Sequence, residues 1–277
     1  MHNPFVSTDW LAAHLSDPDV VVVDASWHLP NASRNAQAEY LAGHIPGAVF
    51  FDIDGIADTT TDLPHMLPSP ADFARAVGAL GISDEMTIVV YDEVGLFSAP
   101  RVWWTFRSFG ARNVFMLEGG GPKWRAEKRR IEAGLVQRDR VSFNANFDPD
   151  AAVDFDTVMS NLRSHEAQVV DARPAPRFHG EVPEPRPGLR SGHIPGSFNV
   201  PVGLLTEAGR LKSPEHLRAI FAERGIDLEK PLITSCGSGI TAVTLALALE
   251  QAGAKDVAVY DGSWAEWGAH KDAEVES

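Results

Sequence analysis

The chain contains one cysteine, Cys236, and its setting suits a nucleophile. The surrounding residues read Pro231-Leu-Ile-Thr-Ser-Cys236-Gly-Ser-Gly-Ile-Thr241, followed by Ala-Val-Thr-Leu-Ala-Leu-Ala-Leu. A short apolar run ends at the thiol, a glycine-rich loop follows, and a long apolar helical pattern begins. That order aims backbone N–H groups and the positive end of a helix dipole at the sulfur, which favours thiolate over thiol. The thiolate is the attacking form. A lone cysteine can equally serve as a small buried hydrophobe. Gly237 and Gly239 argue for the nucleophile, because a loop that wraps an anion needs bare backbone, whereas a packed core needs side chains.

The elements that must position this loop come in two sets, because the chain repeats itself. Val6-Ser-Thr-Asp-Trp-Leu and the run ending at Asp24 resemble Val153-Asp-Phe-Asp-Thr-Val and the run ending at Asp171. His44-Ile-Pro-Gly47 recurs as His193-Ile-Pro-Gly196, Ser69-Pro70 as Ser213-Pro214, and Gly110-Ala-Arg-Asn-Val114 as Gly253-Ala-Lys-Asp-Val257. Glu118-Gly-Gly with Trp124 recurs loosely as Asp261-Gly-Ser with Trp264. The order is kept throughout, so each half is expected to be one domain. Short apolar runs at 20–24, 87–92 and 114–117, with counterparts at 168–172, 231–235 and 257–260, read as buried parallel strands. Helices fall between them, with Ser69 and Ser213 as N-caps and proline at the first helical position. The pattern is α/β, each domain a mainly parallel sheet flanked by helices, and Cys236 falls at a strand's carboxyl end, where such sheets bind ligands. The expected division is a first domain at 1–135, a polar linker at 136–151 and a second domain at 152–277. The basic triplet Lys128-Arg129-Arg130 reads as a solvated face.

Composition narrows the partners. A net charge of −14 disfavours nucleic acid and anionic membranes. The apolar stretch 242–249 is too short to span a bilayer. A single thiol permits no internal disulfide and suits a reducing, cytoplasmic setting, and the N-terminus shows no secretion signal. No histidine or cysteine spacing defines a metal site, so no metal is expected. The internal repeat supplies its own partner, so a monomer is expected.

Together, the repeat, the paired His-Ile-Pro-Gly motifs and the loop Cys236–Thr241 resemble the two-domain rhodanese family of sulfurtransferases. Arg177-Phe-His-Gly-Glu-Val-Pro-Glu-Pro-Arg186, Phe51-Asp-Ile-Asp54 and His65-Met-Leu-Pro68 strengthen the resemblance, which covers nearly the whole chain. The fold it implies is two tandem rhodanese-like domains. It implies a Cys236 persulfide that takes sulfur from a small donor and passes it to cyanide or to a thiol acceptor such as thioredoxin or a small thiol. Within the family, the loop is similar to that of members acting on 3-mercaptopyruvate. Members acting on thiosulfate typically place basic residues directly after the cysteine, where this chain has Gly237 and Ser238. In the first half Asp92 stands in the cysteine's place, so that domain is expected to be catalytically silent and to supply one wall of an interdomain cleft.

The resemblance also implies roles for other residues. Backbone N–H groups of Gly237, Gly239, Ile240 and Thr241 would cradle the sulfur anion. Arg177 and Arg186 would bind the donor's carboxylate and stabilise a developing enolate; the plainer alternative pairs them with Glu181 or Glu184. Ser238, His65 and Asp54 match a relay proposed for some members, in which His65 shuttles a proton and Asp54 orients it. Alternatively, Ser238 is a small loop residue, Asp54 caps a turn and His65 only lines the cleft. His44 and His193 read as structural turns because both domains carry them. Phe97 stands where some relatives carry tyrosine. Three other activities compete: a phosphatase of related fold, whose Cys-x5-Arg loop would need arginine where this chain has Ala242; a thiosulfate sulfurtransferase; and a persulfide carrier serving a protein partner without turnover.

Overall fold

Four consecutive valines before Asp24 make a segment that only a sheet covered on both faces can accept. In the computed structural model, which describes residues 3–277, this segment is the inner strand β2 (Val20–Asp24). The first unit orders its strands β1 (Phe5–Val6), β5 (Val114–Leu117), β4 (Thr87–Tyr91), β2 and β3 (Val49–Phe50), and every pairing is parallel. Helices α1 (Thr8–His14), α2 (Ala36–Ala42), α3 (Pro70–Ala79), α4 (Ala99–Ser108) and α5 (Gly120–Ala126) connect or follow them.

The second unit repeats this order with β6 (Ala152–Val153), β12 (Val257–Tyr260), β11 (Leu232–Ser235), β7 (Gln168–Asp171) and β8 (Phe198–Asn199), again all parallel. Its helices are α6 (Phe155–Ser164), α7 (Ala175–Phe178), α8 (Pro214–Glu223), α9 (Ile240–Ala252) and α10 (Ser263–Trp267). A short hairpin of β9 (Thr206–Glu207) and β10 (Arg210–Leu211) is added. Among the described residues, no helix is long and apolar enough to cross a membrane. Helix α9 is apolar on all sides and nearly all buried, which is why its sequence shows no polar face.

Local chemistry explains the helix starts. The Ser69 hydroxyl accepts the Asp72 N–H at 3.2 Å, and that of Ser213 accepts the His216 N–H at 3.4 Å, with Pro70 and Pro214 in the first turn. The His-Ile-Pro-Gly motifs are indeed structural. The His44 backbone pairs with Glu132 at 2.8 and 2.9 Å, and the Glu132 carboxylate accepts the Gly47 N–H at 2.9 Å. His193 and Glu276 repeat the arrangement at 2.7 and 3.0 Å, with the Gly196 N–H on the Glu276 carboxylate at 3.0 Å. Each motif thus latches the trailing segment of its own domain.

Two expectations change. The counterpart of Trp124 is Trp267 and not Trp264, because Gly120 and Ser263 open α5 and α10 in the same register. The indole N–H of Trp124 donates to the Arg130 carbonyl, and that of Trp267 to the Glu274 carbonyl, both at 2.8 Å. The expected linker is, up to Asp148, bonded to the first unit. Val141 N–H reaches the Gly78 carbonyl, Asn146 N–H reaches Phe109, and Phe143 is buried among Phe73 and Phe106. The two units meet in sequence between Asp148 and Pro149, while residues 60–66 belong to the second unit and 208–210 to the first. A polar composition hid one buried aromatic anchor in this stretch. The basic triplet is also less free than its composition suggests: the Arg129 guanidinium pairs with Asp9 and Glu127 and lies 5.3 Å from the Trp124 ring centre.

Candidate active site

Cys236 is the residue directly after β11, and Gly239, with φ +78°, turns the chain into α9. The thiol residue is 2 % exposed, while Gly237, Ser238 and Thr241 are partly exposed. Two backbone bonds tie the loop to α10: Trp264 N–H to the Cys236 carbonyl at 3.0 Å, and Ala265 N–H to the Gly237 carbonyl at 2.9 Å. A third tie joins the Cys236 N–H to the Ser263 hydroxyl oxygen at 3.1 Å.

Asp92 occupies the same place after β4. Its carboxylate accepts five backbone N–H groups. Val94 and Gly95 donate to Oδ1 at 2.8 and 2.6 Å; Phe97, Ser98 and Ala99 donate to Oδ2 at 2.8, 2.9 and 2.8 Å. A loop of this design gathers N–H groups around an anion, and here the anion is built into the chain. Asp92→Asn is therefore expected to cost about 3 kcal/mol or more, because an amide nitrogen must face two or three buried donors. A urea titration of the first domain checks this; a change within about 0.5 kcal/mol would contradict it.

Both domains end their first long strand in a buried aspartate and treat it differently. Asp24 is bonded by the Tyr91 hydroxyl at 2.8 Å and the Ser26 N–H at 2.9 Å, and burial pushes its carboxyl up to about 6. Asp171 faces Arg173, whose Nε and Nη2 lie 2.9 and 2.8 Å from its Oδ2. Arg173 continues to Glu184 at 2.9 Å, and both side chains are 1 % exposed. Its guanidinium also lies 4.3 Å from the Trp264 ring centre. Glu184 in turn holds Arg177 through Nε at 3.2 Å and through Nη2. This buried chain of alternating charges runs from the sheet to the loop; in the first domain Ser26 stands in the place of Arg173.

The pairing of Arg177 with Glu184 occurs, but it does not remove Arg177 from the loop. A Cβ placed on Gly237 would stand 2.9 Å from Arg177 Nη2 and 3.6 Å from Nη1. Glu184 therefore takes the Nε–Nη2 edge, and the Nη1–Nη2 edge faces Gly237. Arg186 Nη2 lies 3.2 Å from His65 Nε2 within the second unit. A guanidinium has only donors, so Nε2 is the acceptor there and this nitrogen carries no proton. Asp54 belongs to the first unit and accepts the Trp27 indole N–H at 3.0 Å. Sequence reading gave no role to Arg173 or Ser263, and named Glu184 only as an alternative partner of Arg177 or Arg186. Only the position of Arg173, two residues past a strand-end aspartate, gave a signal.

Residues 7–127 and 154–270 each match the rhodanese-like domain family, and the chain belongs to that family, carrying its domain twice. It is 50 % identical over 275 residues to the 3-mercaptopyruvate sulfurtransferase of Escherichia coli K12, covering 98 % of this chain and 97 % of that one. It is 46 % identical over 275 residues to the thiosulfate sulfurtransferase of Cricetulus griseus, covering 96 % and 92 %. Its fold superposes on the crystal structure of SseA, a 3-mercaptopyruvate sulfotransferase from Escherichia coli, with a TM-score of 0.88 at 46 % identity, covering 95 % and 99 % of the two chains.

Proposed function

We propose that this chain is a sulfurtransferase that takes sulfur from 3-mercaptopyruvate, carries it as a persulfide on Cys236 and hands it to a thiol or to cyanide. In the first step the Cys236 thiolate attacks the donor sulfur. An S–S bond forms, the C–S bond breaks, and its electron pair passes to the carbon fragment as the enolate of pyruvate. Protonation at carbon releases pyruvate. In the second step an acceptor thiolate attacks the outer sulfur and Cys236 leaves as thiolate. Thioredoxin or a small thiol suits this step, and a monomer in the cytoplasm suits the chemistry of a lone thiol.

The roles follow from charge. Amides of Gly237, Gly239, Ile240 and Thr241 cradle the sulfur anion at the start of α9. Arg177 offers its Nη1–Nη2 edge, and Arg186 its guanidinium, to the carboxylate and the growing enolate. His65 supplies a neutral nitrogen to the proton traffic, with Ser238 as the relay partner in its own unit. The unit that runs to Asp148 is the silent domain and the one that begins at Pro149 the catalytic domain.

The observation that carries the donor assignment is the approach of Arg177 to Gly237. A relative named 3-mercaptopyruvate sulfurtransferase is 50 % identical to this chain, and one named thiosulfate sulfurtransferase is 46 % identical. At Gly237 the choice is steric and electrostatic. A basic side chain there, as the family resemblance implies for thiosulfate enzymes, would meet a like charge that Glu184 holds in place. Positive charge is thus delivered beside the loop and not from within it, leaving room for a donor that brings its own carboxylate. The test compares kcat/KM for 3-mercaptopyruvate and thiosulfate with one acceptor thiol. The expected preference for 3-mercaptopyruvate is tenfold or more, about 1.4 kcal/mol; a preference for thiosulfate would overturn the assignment.

A further inference from the structure

The two domains allow a comparison within one chain. Gly120 and Ser263 each lie three residues past the end of an equivalent strand and each open the following helix. Both are left-handed, with φ +57° and +49°. In both, the next residue donates its N–H to the carbonyl at the nucleophile position: Gly121 to Asp92 and Trp264 to Cys236, each at 3.0 Å. A left-handed residue in this role is ordinarily glycine, as in the silent domain, because a side chain there is strained. The active domain carries serine instead, fully buried at 0 % exposure.

The hydroxyl accounts for the serine. Ser263 Oγ donates its proton to the Tyr260 carbonyl at 2.9 Å and accepts the Cys236 N–H at 3.1 Å. With its single proton committed to that carbonyl, Oγ can only present a lone pair to the amide. One oxygen thereby joins the end of β12 to the start of the sulfur-carrying loop. In the silent domain there is no room for this device, since a Cβ on Gly120 would stand 2.7 Å from the Asp92 carbonyl oxygen and 2.9 Å from the Gly95 Cα.

We propose that Ser263 is a positioning residue for sulfur transfer. It fixes the peptide plane of Cys236 and so the direction in which the thiol leaves the backbone, and the active domain retains a strained serine for that purpose. The inference rests on Cys236 being the nucleophile of the proposed reaction.

Two variants of the full chain separate positioning from folding. Ser263→Gly removes the hydroxyl and relieves the backbone; Ser263→Ala removes the hydroxyl and keeps the strain. Thermal unfolding, steady-state KM and kcat with 3-mercaptopyruvate, and the single-turnover rate of persulfide formation are measured on both. Ser263→Gly is expected to keep or raise the unfolding midpoint while both variants lose about tenfold in persulfide formation and kcat, roughly the effect of one hydrogen bond, at unchanged KM. A wild-type rate of persulfide formation in Ser263→Gly overturns the proposal, as does a loss confined to KM. Wild-type turnover is the reference. If it is absent with 3-mercaptopyruvate, the donor assignment fails, and the same comparison with thiosulfate still decides the role of Ser263.

Discussion

Cys236→Ser is expected to end sulfur transfer while leaving the protein folded. Serine fills nearly the same volume at a position that is 2 % exposed, and the loop's ties to α10 are made by backbone atoms and by Ser263, so the fold has no reason to change. The chemistry has no substitute. A hydroxyl is not ionised near neutral pH, and an S–O linkage is no carrier of transferable sulfur. No second thiol exists in the chain, and the equivalent position holds a carboxylate already occupied by five N–H donors. Activity should fall by at least about 10⁴-fold, the scale on which removal of a nucleophile acts. Mass spectrometry after incubation with donor should find one added sulfur on the wild type and none on the variant. Sulfur loading of Cys236→Ser would move the chemistry elsewhere.

Arg186→Ala carries the second large effect, and its signature is selectivity. A guanidinium that grips a carboxylate through its planar fork contributes where the donor presents that planar group. With 3-mercaptopyruvate, kcat/KM should fall roughly a hundredfold, in line with loss of a charge-assisted bond worth up to about 3 kcal/mol. With thiosulfate, which has no carboxylate to grip, the loss should stay below about threefold, under 0.7 kcal/mol. Arg186→Lys should fall between, because it returns the charge without the planar fork. His65 sharpens the measurement, since its Nε2 lies 3.2 Å from Arg186 and loses that donor in the variant. Equal losses on both donors would reduce Arg186 to a general electrostatic role.

Much of the fold was legible because its signals are local. Valine runs, serine caps followed by proline, and paired His-Ile-Pro-Gly turns are dictated by residues close in sequence, and the strands fall where those runs lie. The repeat added what no single segment carries, an equivalence between Cys236 and Asp92 from which one loop is expected to be active and the other silent. The buried end of the connecting segment was not legible. Phe143 is one aromatic in a polar stretch, and its burial depends on Phe73 and Phe106, far away in the chain. The pairing of Trp124 with Trp267 was missed for a related reason: spacing in a loose repeat is ambiguous until the helices are in register.

The sequence by itself determined the single thiol on which the proposed chemistry rests, the duplication and the neutral character of the loop. Each is a property of residue types in order, and Cys236 needs no partner to be the one thiol in the chain. Tertiary structure decided how the loop around that thiol is held. Glu184 bridges Arg173 and Arg177 from within a loop whose composition reads as exposed, and Ser263 reaches the Cys236 amide from the end of another strand. The Ser263 contact joins residues brought together by the pairing of β11 with β12, and the Glu184 contacts depend on how the segment after β7 folds back on itself. Hydrogen bonds act over about 3 Å, so they leave no periodicity in the sequence to be read.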